Sequence, residues 1–134
     1  MLRKRKVLAG GVFNIIHSGH IYFLERARRL GDKLTVVVAS DRTVLRSKKK
    51  LLLPARERAE RVSAFSFVDK AVVGDDDDMM KVVMEEQPDV IALGYDQDEH
   101  GIRKMLDRAG FGCEIVRIEK LKGYSTKKIT GRKK

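Results

Sequence analysis

Two histidines three residues apart, His17 and His20, lie in the segment Gly10-Gly11-Val12-Phe13-Asn14-Ile15-Ile16-His17-Ser18-Gly19-His20. Around the start of a helix, positions i and i+3 share a face, so both rings can address one point. Gly10 and Gly11 close an apolar run and let another group approach the backbone. A helix opening at Ser18 directs free amides and its positive dipole end at the same space, which suits a phosphate. Gly19, between the rings, has no side chain to obstruct a ligand. Imidazoles, amides and a helix terminus together form a site for charge developing on phosphoryl oxygens. The competing reading is two surface histidines beside a turn. A metal pair is a third, but only His100 remains as a further histidine, and the turn itself holds no acid.

The choice among these depends on the elements around the turn. Val7 to Phe13 reads as a buried strand, and Ser18 to Leu30 as a helix stopped at Gly31. Leu34 to Ala39 is continuously apolar, as a central parallel strand should be. Ser40 to Lys50 is polar and basic, a short helix and then a mobile loop. Pro54 suits a first helical turn, and that helix runs to about Phe65. Phe67 to Val73 is a third strand. Asp75 to Asp78 opens a helix through Glu86, where the acids complement the dipole. Val90 to Leu93 is a fourth strand, Glu99 to Ala109 an amphipathic helix, and Gly112 to Ile118 a fifth strand. Thr126 onwards is read as a last helix.

Five strands alternating with helices predict an α/β fold: a Rossmann-like, doubly wound five-stranded parallel sheet with helices on both faces. In such sheets ligands sit beyond the carboxyl ends of the strands, where the strand order reverses. That places the histidine pair in the loop where this architecture most often takes phosphate, and favours the phosphate reading.

With 134 residues the chain is expected to be a single domain spanning 1–134. No apolar run approaches the ~20 residues of a membrane span, and no signal-peptide pattern opens the chain, so a cytoplasmic protein is expected. The lone Cys113 excludes an intramolecular disulfide framework. Net charge is +10; residues 1 to 50 hold 13 bases and 3 acids, and the remainder 16 of each. A one-sided excess suggests an anionic partner, a nucleic acid or a small polyphosphate. The basic residues form no recognisable reading helix, which weighs against a nucleic-acid-binding domain.

The stretch His17-Ser18-Gly19-His20 matches an HxGH signature, and Gly11-Val12-Phe13-Asn14 resembles the G-[TS]-F-D that precedes it. On these residues the chain resembles the cytidylyltransferase-like superfamily of nucleotidyltransferases from about Val7 to Ile129. Further matches follow in order. Lys48-Lys49-Lys50 falls where the family has a lysine-rich loop for the triphosphate, with Lys49 the best-placed match. Arg58 resembles the arginine of a P-x-x-x-R…V-D stretch, Gly94-Tyr95-Asp96-Gln97 a Gly-x-Asp turn lining the nucleotide pocket, and Gly123-Tyr124-Ser125-Thr126 a late G-x-S-[ST] motif.

The resemblance implies transfer of a nucleotidyl group from a nucleoside triphosphate to a phosphorylated acceptor, with release of pyrophosphate. His17, His20 and Lys49 would act on the phosphates. Gly11, Val12, Phe13, Asn14, Gly19, Arg58, Gly94, Asp96, Ser125 and Thr126 would complete the nucleotide site. A divalent metal ion, Mg²⁺ by preference, would bridge phosphate oxygens. Among family members the chain looks most like archaeal-type FAD synthetases, which join ATP and FMN. Glycerol-3-phosphate cytidylyltransferases, which use CTP, share almost the same framework. Related enzymes are often dimers. One departure stands out: Asn14 occupies the usual aspartate position, leaving open a role in shaping the turn or in holding metal.

Overall fold

Period-two alternation in the strands sorts side chains onto two faces, and the computed structural model, which describes residues 3–121, shows both faces covered. The elements run β1 (Lys6–Gly11), α1 (Ser18–Arg28), β2 (Lys33–Val38), α2 (Asp41–Arg46), α3 (Ala55–Ser63), β3 (Lys70–Val73), α4 (Met79–Glu86), β4 (Val90–Leu93), α5 (Glu99–Ala109) and β5 (Glu114–Arg117). All four strand pairings are parallel, in the order β3-β2-β1-β4-β5. Val7, Ala9, Val90 and Ala92 pack on one face with Leu24 and Ala27 of α1 and Val62 of α3. Leu8, Ile91 and Leu93 face the other way, against Val82 and Val83 of α4 and Leu106 of α5. This is the expected doubly wound Rossmann-like sheet. Its order reverses between β1 and β4, so the crevice for a ligand opens beyond Gly11 and Leu93.

Several boundaries differ from the sequence expectation, each for a local reason. β1 stops at Gly11 rather than Phe13, because Phe13 takes φ +57° and folds its ring into the core, 3% exposed. β3 begins at Lys70 rather than Phe67: the Val68 amide donates back to the Phe65 carbonyl in a turn, and Asp69 accepts from the Leu34 amide. β4 and α5 have the expected limits. Asp78 caps α4 through the Met80 amide, as its position predicts. The helix expected from Thr126 lies outside the described residues. Among the described residues, no helix is long and apolar enough to cross a membrane.

Candidate active site

At the end of β1 the chain must turn sharply, and Gly11 permits it: a Cβ there would stand 2.8 Å from the Phe13 ring. Seven residues after Gly11, at Ser18, α1 begins, and its first free amides are satisfied by the two histidines. His17 is the N-cap; its Nδ1 accepts from the Gly19 amide at 3.1 Å. His20 Nδ1 accepts from the His17 amide at 3.2 Å, closing a reciprocal capping box. The rings stack with centroids 3.9 Å apart, and Phe13 lies 5.3 Å from His20.

Capping also sets the chemistry of the pair. A neutral imidazole that accepts at Nδ1 carries its proton at Nε2, which fixes the tautomer of each ring when it is neutral. His20 is held neutral. Burial and the neighbouring His17 push its pKa down to about 4, against weaker upward pulls from Asp96 and the Ile15 carbonyl. Gly19 has a reason beyond ligand access: a Cβ there would come within 3.0 Å of the His17 ring.

Asn14 takes part in shaping the turn. Its Nδ2 donates to the Lys50 carbonyl at 2.6 Å, and its Oδ1 accepts from the Leu52 amide at 3.1 Å. The side chain thus clasps the basic loop against the histidine turn. An aspartate could accept from Leu52 but could not donate to Lys50. Lys48, at φ +65°, turns that loop, and Lys48, Lys49 and Lys50 are all exposed.

Arg58 is placed differently from the expectation of a nucleotide-binding residue. It is fully buried. Its guanidinium donates to the carbonyls of Leu53, Val12 and Ala39 and to Asp41 Oδ1, all within 2.7–2.9 Å. Every donor direction used points into the protein, so Arg58 pins the loops after β1 and β2 and presents nothing to a ligand. Phe13 is likewise a core ring, and the Val12 carbonyl is taken by Arg58.

Across the crevice, Gly94-Tyr95-Asp96-Gln97 follows β4. Gln97 Oε1 accepts from the Gly94 amide at 2.8 Å, and its Nε2 donates to the Gly10 carbonyl at 3.3 Å, bridging the strand ends at the reversal point. Arg117 of β5 donates to the carbonyls of Gly94, Tyr95 and Gln97 at 2.7–3.0 Å. Sequence reading includes Gln97 only as a member of the Gly94 to Gln97 turn and misses its bridge to Gly10, and it misses Arg117 altogether. The available signal was an arginine closing the strand beside β4, next to carbonyls that no later strand could satisfy. Asp96 is exposed and acts on His20 through its charge. Ser125 and Thr126 lie outside the described residues.

Four arginines of the basic first segment are engaged internally. Arg3, Arg5, Arg28 and Arg46 pair with Asp89, Glu114, Asp69 and Asp77, all from the later, acid-richer part of the chain. The lysines of the 48–50 loop belong to no such pair among the described residues and are exposed beside the histidine turn.

The stacked histidine pair and the clasped lysine loop lie beside the reversal point of a doubly wound sheet, where this architecture takes phosphate-bearing ligands. The chain belongs to the cytidylyltransferase-like family, whose model matches residues 8–132. It is 45% identical over 131 residues to the FAD synthase of Thermoplasma acidophilum, covering 96% of this chain and 92% of that protein. It is 48% identical over 113 residues to the FAD synthase of Archaeoglobus fulgidus, covering 83% of this chain and 82% of the relative. Among solved structures, the lipopolysaccharide core biosynthesis protein of Thermoplasma volcanium superposes with a TM-score of 0.85 at 41% identity, over 89% of this chain and 99% of that one. A pantoate-beta-alanine ligase from Francisella tularensis, at 12% identity and a TM-score of 0.64 over 87% of this chain and 59% of its own, shares the fold alone.

Proposed function

We propose that this protein is an FMN adenylyltransferase, joining AMP from ATP to FMN with release of pyrophosphate. The FAD synthases similar over most of the chain support the substrates. The carrying observation is the histidine pair, two stacked rings fixed by backbone capping at the start of α1.

The FMN phosphate is already a nucleophile, so no serine, cysteine or general base is needed. One of its oxygens attacks the α-phosphorus; a new P–O bond forms there, and the bond to the bridging β-phosphate oxygen breaks. Catalysis is positioning and charge stabilisation. His17 and His20 donate Nε2–H to oxygens whose charge rises at the α- and β-phosphates, and their shared stack fixes both donors before substrate arrives. Lys49 neutralises the departing pyrophosphate, held near by the Asn14 clasp. Gly11 and the Gly94 to Asp96 turn line the nucleotide side, and Ser125 and Thr126 complete the phosphate cradle.

A divalent cation, Mg²⁺ in this reading, supplies further neutralisation on the triphosphate. The described residues gather no set of three or more His, Cys, Asp or Glu around a point. Asp96, near His20, is the carboxylate placed to contribute. We place the reaction in the cytoplasm, in one domain, with a homodimer as the assembly to test by light scattering.

The decisive experiment crosses ATP and CTP with FMN, glycerol 3-phosphate and phosphopantetheine, with pyrophosphate release as readout. Release with ATP plus FMN is expected; release only with CTP plus glycerol 3-phosphate would overturn the assignment.

A further inference from the structure

A cleft of about 570 Å³ opens beside the histidine turn, lined by Asn14, Ile15, Ile16, Leu52, Leu53, Arg61, Ala64 and Phe65. Its walls come from three places: the turn after β1, the loop after the lysines, and the last turn of α3 with the residues just beyond it. Two of its apolar side chains stand in the open, Ile15 at 64% and Leu52 at 47% exposure. Phe65 contributes an aromatic ring, stacked on Phe67 with centroids 5.4 Å apart. Arg61 is the single charge. Small-molecule sites of this volume are mostly apolar with a few placed polar groups, and this lining has that character.

We infer that this cleft receives the flat, apolar ring system of the phosphorylated acceptor, while the acceptor's phosphate lies at the histidine pair. The inference rests on the adenylyl-transfer reading above and deepens it to a subsite. Continuity with the reacting centre carries it. Ile15 and Ile16 run directly into His17, and the Asn14 side chain ties Lys50 and Leu52 to the same turn. One clasp therefore sets both the lysine loop and the apolar wall. An acceptor filling the cleft must carry an extended apolar body as well as a phosphate. A flavin has both, with ring carbonyls that can accept from the Arg61 guanidinium. Glycerol phosphate has nothing to bury against Ile15, Leu52 or Phe65. The cleft thus acts as a specificity device, selecting among phosphate esters by the group distal to the phosphate.

The test uses the full chain and the double variant Ile15→Ser/Leu52→Ser. Both positions are largely exposed, so the fold should be kept, and a thermal melt checks that it is. Binding of FMN and of riboflavin is read by quenching of flavin fluorescence without ATP, and binding of ATP separately by calorimetry. The variant should weaken FMN and riboflavin by about tenfold or more, the scale set by removing several apolar carbons from contact, and leave ATP unchanged. Weaker ATP binding with flavin unchanged would show the cleft to hold the base instead, and overturn the inference. A change in oligomeric state with flavin affinity intact would make the cleft a contact between copies, and overturn it too. Wild-type turnover of ATP plus FMN is measured in parallel. Should that fail, the adenylyl-transfer reading falls; should it succeed while the double variant binds flavin normally, only the cleft assignment falls.

Discussion

The two turns that flank the reversal point are built by opposite strategies. In the turn after β1, His17 and His20 are at once the helix cap and the chemical groups. In the turn after β4, Gln97 of the turn ties it to Gly10 of β1 and Arg117 holds its carbonyls from the neighbouring strand, while Asp96 stays exposed. The difference is one of degrees of freedom. A side chain that caps its own helix cannot change rotamer without losing a backbone hydrogen bond, so the histidine donors are preorganised at no extra ordering cost. A side chain on an externally pinned loop remains free to follow a ligand. The β1 side is therefore suited to the phosphates, whose geometry is fixed by the reaction, and the β4 side to the more variable part of a nucleotide.

The largest effect should come from the residue that makes the β1 side rigid. Arg58→Ala removes four hydrogen bonds and leaves three carbonyls and Asp41 to find other partners. We expect about 3 kcal/mol lower stability, measured as a lower urea midpoint at unchanged slope. A variant with wild-type stability but impaired ATP binding would instead return Arg58 to the nucleotide site. Next is His20→Ala, expected to lower the rate of pyrophosphate release about 10²–10³-fold and to cost about 1 kcal/mol through the lost cap. His20→Asn separates the two functions, because its amide can retain capping while losing the imidazole donor. Stability should recover and turnover should not.

The clasp and the pinned turn predict smaller changes. Asn14→Asp forfeits the bond to Lys50 and sets a carboxylate against a carbonyl, worth about 1–2 kcal/mol of loop positioning. The expected reading is a raised KM for ATP, with the divalent-metal requirement unaltered. A lower metal requirement would revive the ligand role for this position. Arg117→Ala frees the Gly94 to Gln97 carbonyls at a partly exposed site, so about 1 kcal/mol is at stake. If the two turns differ as argued, this change should raise KM for ATP and spare kcat, whereas His20 variants should depress kcat.

How far the sequence disclosed this arrangement follows the same division. Strands buried on both faces and an amphipathic helix carry their own period, so β4 and α5 emerged with their observed limits. The histidine pair was legible because a local spacing is enough to place two rings on one helix start. The long-range pins were not. Arg58 reads as a family arginine of the nucleotide site, since nothing in its neighbourhood reveals that three loop carbonyls converge on its position. Arg117 and Gln97 are opaque for the same reason: their partners are set by which strand ends lie side by side. Phe13 was mistaken for the end of a strand because an apolar residue continues an apolar run until its φ is known.

The mildest test concerns protons rather than atoms. In an unfolded chain a histidine titrates near 6.5, whereas burial and His17 push His20 down to about 4 in the fold. Between those values the unfolded state binds more protons than the folded state, so stability rises with pH across that interval. The contribution is complete above about 6.5 and is lost as pH falls through about 4. Protonating Nδ1 would also remove the acceptor for the His17 amide, so the cap should open as the ring charges. In the free protein, the His20 ring resonances in an NMR titration should move near pH 4, with the protection of the His17 amide lost in the same step. Triphosphate bound at the Nε2 face would favour the charged form and carry the midpoint upward. A midpoint near 6.5 in the free protein would mean that the ring is not buried against Phe13 and His17, and the contrast between a self-capped turn and an externally pinned one would lose its basis.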